Sequence, residues 1–199
     1  MASSTAAILP RPRRVIASNL PLSVNAEGKN EPGVEVRAEV LPSESLFGGT
    51  LIRHRVGTHR QVPSSNDGSG ELPLDDIPGA GIALPGGLNI YYLDIAPRTV
   101  GVMHRTTSTD YVIVLNGTLT LTTPDEQAYS VIDGKPDYSQ PVETLCKEGE
   151  VIVQRGMMHA ISNHTDEWVR ALGVVIGSEP NRVSGETGEK VLNDVFLNN

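Results

Sequence analysis

The chain has 199 residues, a length that suits one ample domain with extensions better than two full domains. Only 4% of the residues are aromatic, and 20 Gly with 14 Pro favour many short strands joined by turns over a helical bundle. The formal net charge of −8 disfavours contact with nucleic acid or an anionic membrane, so we expect neither as a partner. The single cysteine, Cys146, and the poor signal peptide at the N-terminus predict a cytoplasmic protein.

The first half of the sequence predicts an extended arm followed by strands. Residues 1–33 carry Pro and Gly breaks and are typical of an arm. VEVRAEV (34–40) alternates apolar and polar residues with the period of a half-buried strand, and LIRHRV (51–56) is a second strand candidate. Residues 64–81 are acidic and rich in turn formers, which indicates a loop. LNIYYLDI (88–95) predicts a third strand.

The second half predicts more strands at short intervals. YVIVLN (111–116) is a continuous apolar run, as expected of a strand deep in a barrel. Asn116-Gly117 then indicates a tight hairpin with TLTLT (118–122) as its partner strand. Further strands are predicted at 150–154, 159–162 and 168–176, and the tail after Pro180 admits one short helix near GEKVLNDVFL. Strands without long helices between them predict an antiparallel barrel or sandwich.

Three dispersed polar residues are the main candidates for chemistry. His104 and Asp110 flank a sharp connection and His159 lies far from them in sequence, but the three could meet inside a barrel. Two imidazoles and one carboxylate are the ligand set of a facial metal triad. The same groups without a metal could act as an acid/base cluster, and each residue taken singly also fits a structural role. The residues alone leave these interpretations open.

The segments around these residues resemble the two conserved motifs of the cupin superfamily. GEVIVQRGMMHAISN (149–163) has the glycine-acid start, strand, glycine turn, histidine and later asparagine of the second motif. HRTTSTDYVIVLNG (104–117) resembles the first motif, which reads His-x-His, an acidic residue, a strand and a closing glycine. The resemblance implies an all-β fold, a cupin-type antiparallel β-barrel (jelly roll) over residues 34–178. Residues 1–33 would form an N-terminal strand arm and residues 179–199 a short C-terminal tail.

The resemblance also implies a site that departs from the metal-binding cupin pattern. His104 takes the place of the first histidine of that pattern and His159 that of the last, whereas Thr106 stands where the second histidine belongs. Asp110 stands where a glutamate belongs and is one methylene shorter. We therefore expect His104, Asp110 and His159 to be catalytic residues and weak, optional ligands of a divalent metal (Zn, Fe, Mn or Ni). The pattern is similar to that of small single-barrel cupins, including fungal ones from secondary metabolism.

Three further residues are expected to bind substrate. They are Thr106, Tyr92 and Arg155, of which Arg155 could pair with a substrate carboxylate, with a structural ion pair as the alternative. The function expected is that of a small-molecule lyase or isomerase, acting by acid/base chemistry on an organic-acid or polyketide-like intermediate. A metal-dependent cupin dioxygenase and a non-catalytic metabolite-binding cupin are the alternatives. We also expect a homodimer in which an N-terminal strand lies on the neighbouring barrel.

Overall fold

The computed structural model of the chain is nearly all β and describes residues 7–22, 31–137, 140–185 and 188–197. The strands are β1 (Arg13–Asn19), β2 (Val34–Val40), β3 (Glu44–Leu46), β4 (Leu51–His59), β5 (Leu88–Ile95), β6 (His104–Arg105), β7 (Ser108–Asn116), β8 (Thr118–Thr123), β9 (Val131–Ile132), β10 (Lys135–Pro136), β11 (Val142–Lys147), β12 (Val151–Arg155), β13 (Ala160–Ser162), β14 (Val169–Gly177), β15 (Asn181–Gly185), β16 (Gly188–Leu192) and β17 (Val195–Phe196). One 3-10 turn, Phe47–Gly49, is the only helical element among the described residues, and none of their helices is long and apolar enough to cross a membrane.

Two antiparallel sheets enclose the main core. One sheet has six strands in the order β12-β7-β14-β5-β4-β3, and the other has three in the order β11-β8-β13. Alternate residues of β7, such as Val112 and Val114, are buried between them because successive strand residues face opposite sides of a sheet. The core residues that share this space are Ile95, Val112, Val114, Leu119, Cys146, Ile152, Val169 and Ala171. The predicted antiparallel all-β fold is confirmed.

The turn at Gly117 is not the hairpin turn that the sequence predicts. β7 belongs to the six-stranded sheet, whereas β8 pairs with β11 and β13 in the other sheet. Gly117 has a φ of 82°, which glycine adopts without strain, and this lets the chain cross from one sheet to the other. The Asn-Gly signal marks a tight turn correctly but does not say which strands the turn leaves paired.

The C-terminal tail forms strands where the sequence admits a short helix. β15 pairs with β16, and β17 pairs with β6 through the partners Val195–Arg105 and Phe196–His104. Val195 and Leu197 lie two residues apart and pack against Met103 and Met158, as a strand face requires. Tertiary packing therefore overrides the local helical propensity of this segment.

A buried ion cluster fixes the N-terminal segment to the outer face of the six-stranded sheet. Arg170 donates Nε and Nη2 hydrogen bonds of 2.6 Å to the two carboxylate oxygens of Asp94, and Nη2 also bonds the carbonyl of Pro10 at 2.8 Å. His54 Nε2 lies 3.3 Å from Asp94 Oδ2, and its Nδ1 lies 3.1 Å from the carbonyl of Pro42. The Asp94 side chain is 1% exposed, so these partners supply its surroundings in place of water.

Many apolar side chains of the described residues are exposed, and two groups of them lie on the β1–β2 ribbon and on β12. The first surface is the outward face of the β1–β2 ribbon, where Val15 and Val36 are 61% and 66% exposed. Arg14, on the opposite face of the ribbon, donates hydrogen bonds to main-chain carbonyls of the domain. The second surface is the outer face of the six-stranded sheet at its β12 edge, where Val151 and Val153 are exposed.

We propose that these two surfaces meet in a homodimer, the ribbon of one copy covering the β12 edge of the other. Sedimentation at micromolar concentration should give a dimer for the wild type and a monomer for Val36→Glu and Val153→Glu, because each change places a charge in the contact. Val100→Glu, at a position that is also exposed but lies on neither surface, should remain a dimer. A monomeric wild-type protein would contradict the proposal.

Candidate functional site

Two imidazoles face each other at one end of the fold. The main chains of His104 and His159 exchange two N–H to carbonyl hydrogen bonds, both of 2.8 Å. Their ring centroids lie 4.4 Å apart with an interplanar angle of 50°. Nδ1 of His104 lies 2.8 Å from the Val102 carbonyl, and Nδ1 of His159 lies 3.0 Å from the Met157 carbonyl. A carbonyl only accepts, so each Nδ1 carries the hydrogen and each Nε2 of a neutral ring is an acceptor.

Burial keeps both rings of this imidazole pair neutral near pH 7. It lowers the pKa of His159 to about 4, with a further lowering by the neighbouring His104 and a smaller opposing effect of the Met157 carbonyl. Burial also lowers the pKa of His104. The hydrogen bond to the Val102 carbonyl and the negative charge of Asp194 oppose this lowering. The imidazole pair therefore accepts hydrogen bonds at neutral pH and holds no proton to give away as imidazolium.

The C-terminal strand closes over the imidazole pair. The Phe196 ring stacks on His104 with centroids 5.2 Å apart and an interplanar angle of 5°. Asp194 accepts hydrogen bonds from the main-chain N–H of Thr107 at 2.6 Å and from its hydroxyl, and Arg105 Nε donates to the Asn193 carbonyl at 2.8 Å. The sequence analysis did not predict that Asn193, Asp194 and Phe196 contact this site.

Asp110 is a buried carboxyl with an unused oxygen. Its side chain faces the interior, it is 5% exposed, and Oδ1 has no hydrogen-bond partner. Burial raises its pKa to about 6, and a hydrogen bond from Ser108 opposes the rise. Ser108 Oγ lies 2.8 Å from Thr106 Oγ1, so Thr106, Ser108 and Asp110 form one polar line along the inner face.

The structure brings the two predicted histidines together but leaves Asp110 apart from them. Asp110 lies inside β7, opposite Gln154 of β12, whereas His104 lies in the separate strand β6. The pKa shifts of the imidazoles come from burial and from groups other than Asp110. The predicted site thus consists of an imidazole pair and a buried carboxyl that lie on different strands.

The predicted metal ligands do not fit a three-ligand metal site. Within the described ranges, no three His, Cys, Asp or Glu side chains lie close enough to hold a metal ion. The imidazole pair does have the backbone-held Nδ1 that is common in ligating histidines. The hydroxyl of Thr106, in the place of a third imidazole, is bonded to Ser108.

Two predicted substrate-binding residues point away from the interior. Arg155 is exposed and alternates along β12 with the buried Gln154. Tyr92 lies on the outer face, where the Arg170 guanidinium is 5.9 Å from its ring centroid. A strand displays alternate residues on opposite faces, so an error of one residue places a side chain on the wrong side. Thr106, the third predicted residue, is buried and lies beside Ser108.

Tyr91 occupies the inner face in place of Tyr92. Its ring lies against the backbone of Gly173, where a Cβ would come within 3.1 Å of it. Burial raises the pKa of the Tyr91 phenol, the negative charge of Asp110 raises it further, and Arg53 opposes both. Tyr91 and Asp110 therefore share one environment, and period-two alternation from the buried Asn89 could have identified Tyr91.

The strand order, the two facing sheets and the position of both motifs define a cupin-like fold. No family model matches the sequence. The chain is similar to "Phomopsin biosynthesis cluster protein C'" of Diaporthe leptostromiformis, with 33% identity over 107 residues, 53% of this chain and 49% of that protein. It is also similar to "Oryzines biosynthesis cluster protein J" of Aspergillus oryzae (strain ATCC 42149 / RIB 40), with 32% identity over 110 residues, 54% of this chain and 53% of that protein. The chain thus spans about half the length of the curated relatives it matches.

Solved structures with some likeness are more distant. The polyketide cyclase RemF from Streptomyces resistomycificus has a TM-score of 0.41 and 16% identity, covering 68% of this chain and 72% of that chain. A Cupin 2 conserved barrel domain protein from Salinispora arenicola CNS-205 has a TM-score of 0.39 and 14% identity, covering 68% and 81%. An oxalate oxidase has a TM-score of 0.36 and 22% identity, covering 48% and 46%.

Proposed function

We propose that this chain is a small-molecule lyase or isomerase of secondary metabolism that works by acid/base chemistry, with Asp110 as its base. The observation that carries the proposal is the buried Asp110 carboxyl, which combines a free Oδ1 with a pKa of about 6. A carboxylate with that pKa is ionised at neutral pH and is a stronger base than an exposed one. The curated relatives are named for biosynthetic clusters, which supports a place in secondary metabolism. The substrate that we propose is an organic-acid or polyketide-like intermediate.

Asp110 can serve both halves of a proton transfer. Its Oδ1 would remove a proton from the carbon next to a carbonyl, while Ser108 holds the carboxylate in place. Protonated Asp110 would then return the proton to another carbon or to a leaving hydroxyl, which gives isomerisation or dehydration. The acid role expected for the histidines moves to Asp110, because the imidazole pair is neutral at neutral pH. The two Nε2 atoms would instead accept hydrogen bonds from the substrate.

The pH dependence of turnover tests this assignment. A base works when it is deprotonated, so kcat/KM should rise with pH through an apparent pKa of about 6. Ser108→Ala should move this limb to higher pH, because the hydrogen bond that lowers the pKa of Asp110 is lost. The measurement uses the intermediate that accumulates when the gene is deleted in the producing organism. A flat profile from pH 4.5 to 8, or one that Ser108→Ala leaves in place, would contradict the assignment.

A further inference from the structure

The inner face of the six-stranded sheet carries several buried polar atoms without partners. Among the described residues, five buried side-chain atoms lack a hydrogen bond. Four of them belong to strands of this sheet: Arg55 Nε, Asn89 Oδ1, Asp110 Oδ1 and Gln154 Nε2. Buried polar groups in folded proteins are nearly always hydrogen-bonded, so four such atoms on one sheet require an explanation.

The strand register places these four groups in two neighbouring rows. Gln154 lies opposite Asp110, Asp110 opposite Val175, and Val175 opposite Asn89, which makes one row across four strands. In the next row Arg55 lies opposite Tyr91. Residues of one row, and residues two apart along a strand, face the same side of a sheet, so all four groups line one polar track.

Local packing does not use these atoms. The Asn89 amide is held by a 3.0 Å bond from Nδ2 to the Ile82 carbonyl, which fixes Oδ1 as the free atom. Arg55 donates Nη2 to the Asp75 carbonyl and leaves Nε unbonded. Arg53, two residues away, donates Nε and Nη2 to the Glu44 carboxylate at 2.9 and 3.0 Å. The contrast shows that this part of the fold can satisfy a guanidinium and does not satisfy that of Arg55.

We infer that this polar track recognises an elongated oxo acid. The inference rests on the proposed function, and it assigns a role to each end of the track. At the β7–β12 end, Gln154 Nε2 would donate to the carbonyl oxygen of the substrate while Asp110 takes the adjacent proton. The electron pair of the broken C–H bond moves onto that oxygen, and the Gln154 amide stabilises the resulting enolate.

At the β4–β5 end, Arg55 would bind the carboxylate and Asn89 Oδ1 would accept a hydrogen bond from a hydroxyl of the substrate. β4 and β7 are separated by β5 and β14, that is, by three strand spacings of about 4.8 Å each. The carboxylate and the reacting carbonyl must therefore be several carbon atoms apart. Short acids in which the two groups are adjacent cannot reach both ends.

Binding of simple probes tests the track without requiring turnover. The probes are methyl-ketone carboxylic acids of about five to ten carbons, followed by NMR titration of the whole chain. At least one chain length should bind, and the alkanoic acid of equal length should bind more weakly because it has no carbonyl for Gln154. Arg55→Gln should raise the Kd of the oxo acid by about 10- to 100-fold, the usual effect of losing a hydrogen bond to a charged group. Arg182→Gln, at an exposed arginine on β15, should have no effect.

The stability of matched variants provides a second readout. Gln154→Met keeps the size of the side chain and removes a donor that has no partner, so its Tm should equal or exceed that of the wild type. Asn163→Leu is the control, since the Asn163 amide donates to the carbonyls of Ile95, Ala96 and Glu167, and its Tm should fall. Failure of the whole probe series to bind, or equal losses in Gln154→Met and Asn163→Leu, would overturn the inference. If the oxo acid binds but turnover does not depend on Asp110, the inference stands and the proposed role of Asp110 as the base is overturned.

Discussion

Replacing Asp110 with Asn should lower turnover by about 10² to 10⁴, the usual contribution of one positioned acid or base. The change keeps the size of the side chain and removes its basicity. Because Asp110 has a free Oδ1 and no ion-pair partner among the described residues, the loss should come from chemistry and not from a broken structural contact. The measurement is kcat on the accumulated intermediate, with binding of the oxo-acid probe as the control for an intact site.

The same variant should be more stable than the wild type at high pH. Burial raises the folded-state pKa of Asp110 from 3.8 to about 6, so the stability due to this group is present below pH 3.8 and is lost as the pH rises through 6. The loss amounts to about 2 to 3 kcal/mol, at 1.36 kcal/mol for each pKa unit. Asn carries no charge to bury, so Asp110→Asn should gain this amount at pH 8 and little at pH 3.5 in thermal unfolding. Wild-type turnover in the variant would refute Asp110 as the base, and lower stability of the variant at pH 8 would refute the burial of a charged Asp110 carboxylate.

Replacing Asp94 with Ala should cost about 3 to 5 kcal/mol of unfolding free energy, because it leaves a buried partner charge without compensation. Arg170 is 14% exposed and donates two hydrogen bonds to Asp94, and the buried His54 loses its contact as well. Without Asp94 the guanidinium would keep only its bond to the Pro10 carbonyl, so the N-terminal segment should also loosen. For a chain of this length the loss corresponds to a fall in Tm of about 6 to 20 °C.

An exposed ion pair is the control for this experiment. Asp166 contacts Arg98 at 2.6 Å, but the two side chains are 79% and 63% exposed. Asp166→Ala should therefore change stability by less than about 1 kcal/mol. Equal effects of Asp94→Ala and Asp166→Ala would show that the ion cluster does not hold the N-terminal segment to the sheet.

The sequence predicts the parts of this fold that depend on local pattern. Alternating or continuous apolar runs correctly indicate β2, β4, β5 and the antiparallel class, because burial of one strand face leaves a period of two in the sequence. The two segments that resemble the cupin motifs also suggest that His104 and His159 meet, and the two residues are bridge partners in the structure. What local pattern cannot supply is the choice of partner strand, which depends on contacts between distant segments.

The positions of the site residues depend on the same contacts. Tyr91 faces the interior and Tyr92 the outer face, so a shift of one residue in the strand register decides which tyrosine is buried. The stacking of Phe196 on His104 depends on the pairing of β17 with β6, and no local sequence feature near either residue predicts this pairing. The polar track becomes visible only when five strands are in register, since each of its members alone is an ordinary polar residue.

The pairing of β17 with β6 has a consequence for synthesis of the protein. Arg105 and Asn193, which are hydrogen-bonded here, are 88 residues apart in the chain. A ribosome releases the N-terminal residues first, so the imidazole of His104 emerges long before the aromatic ring that will cover it. During translation the nascent fold therefore keeps an uncovered edge at β6 until β17 has been made, and the imidazole pair reaches its buried environment only after that.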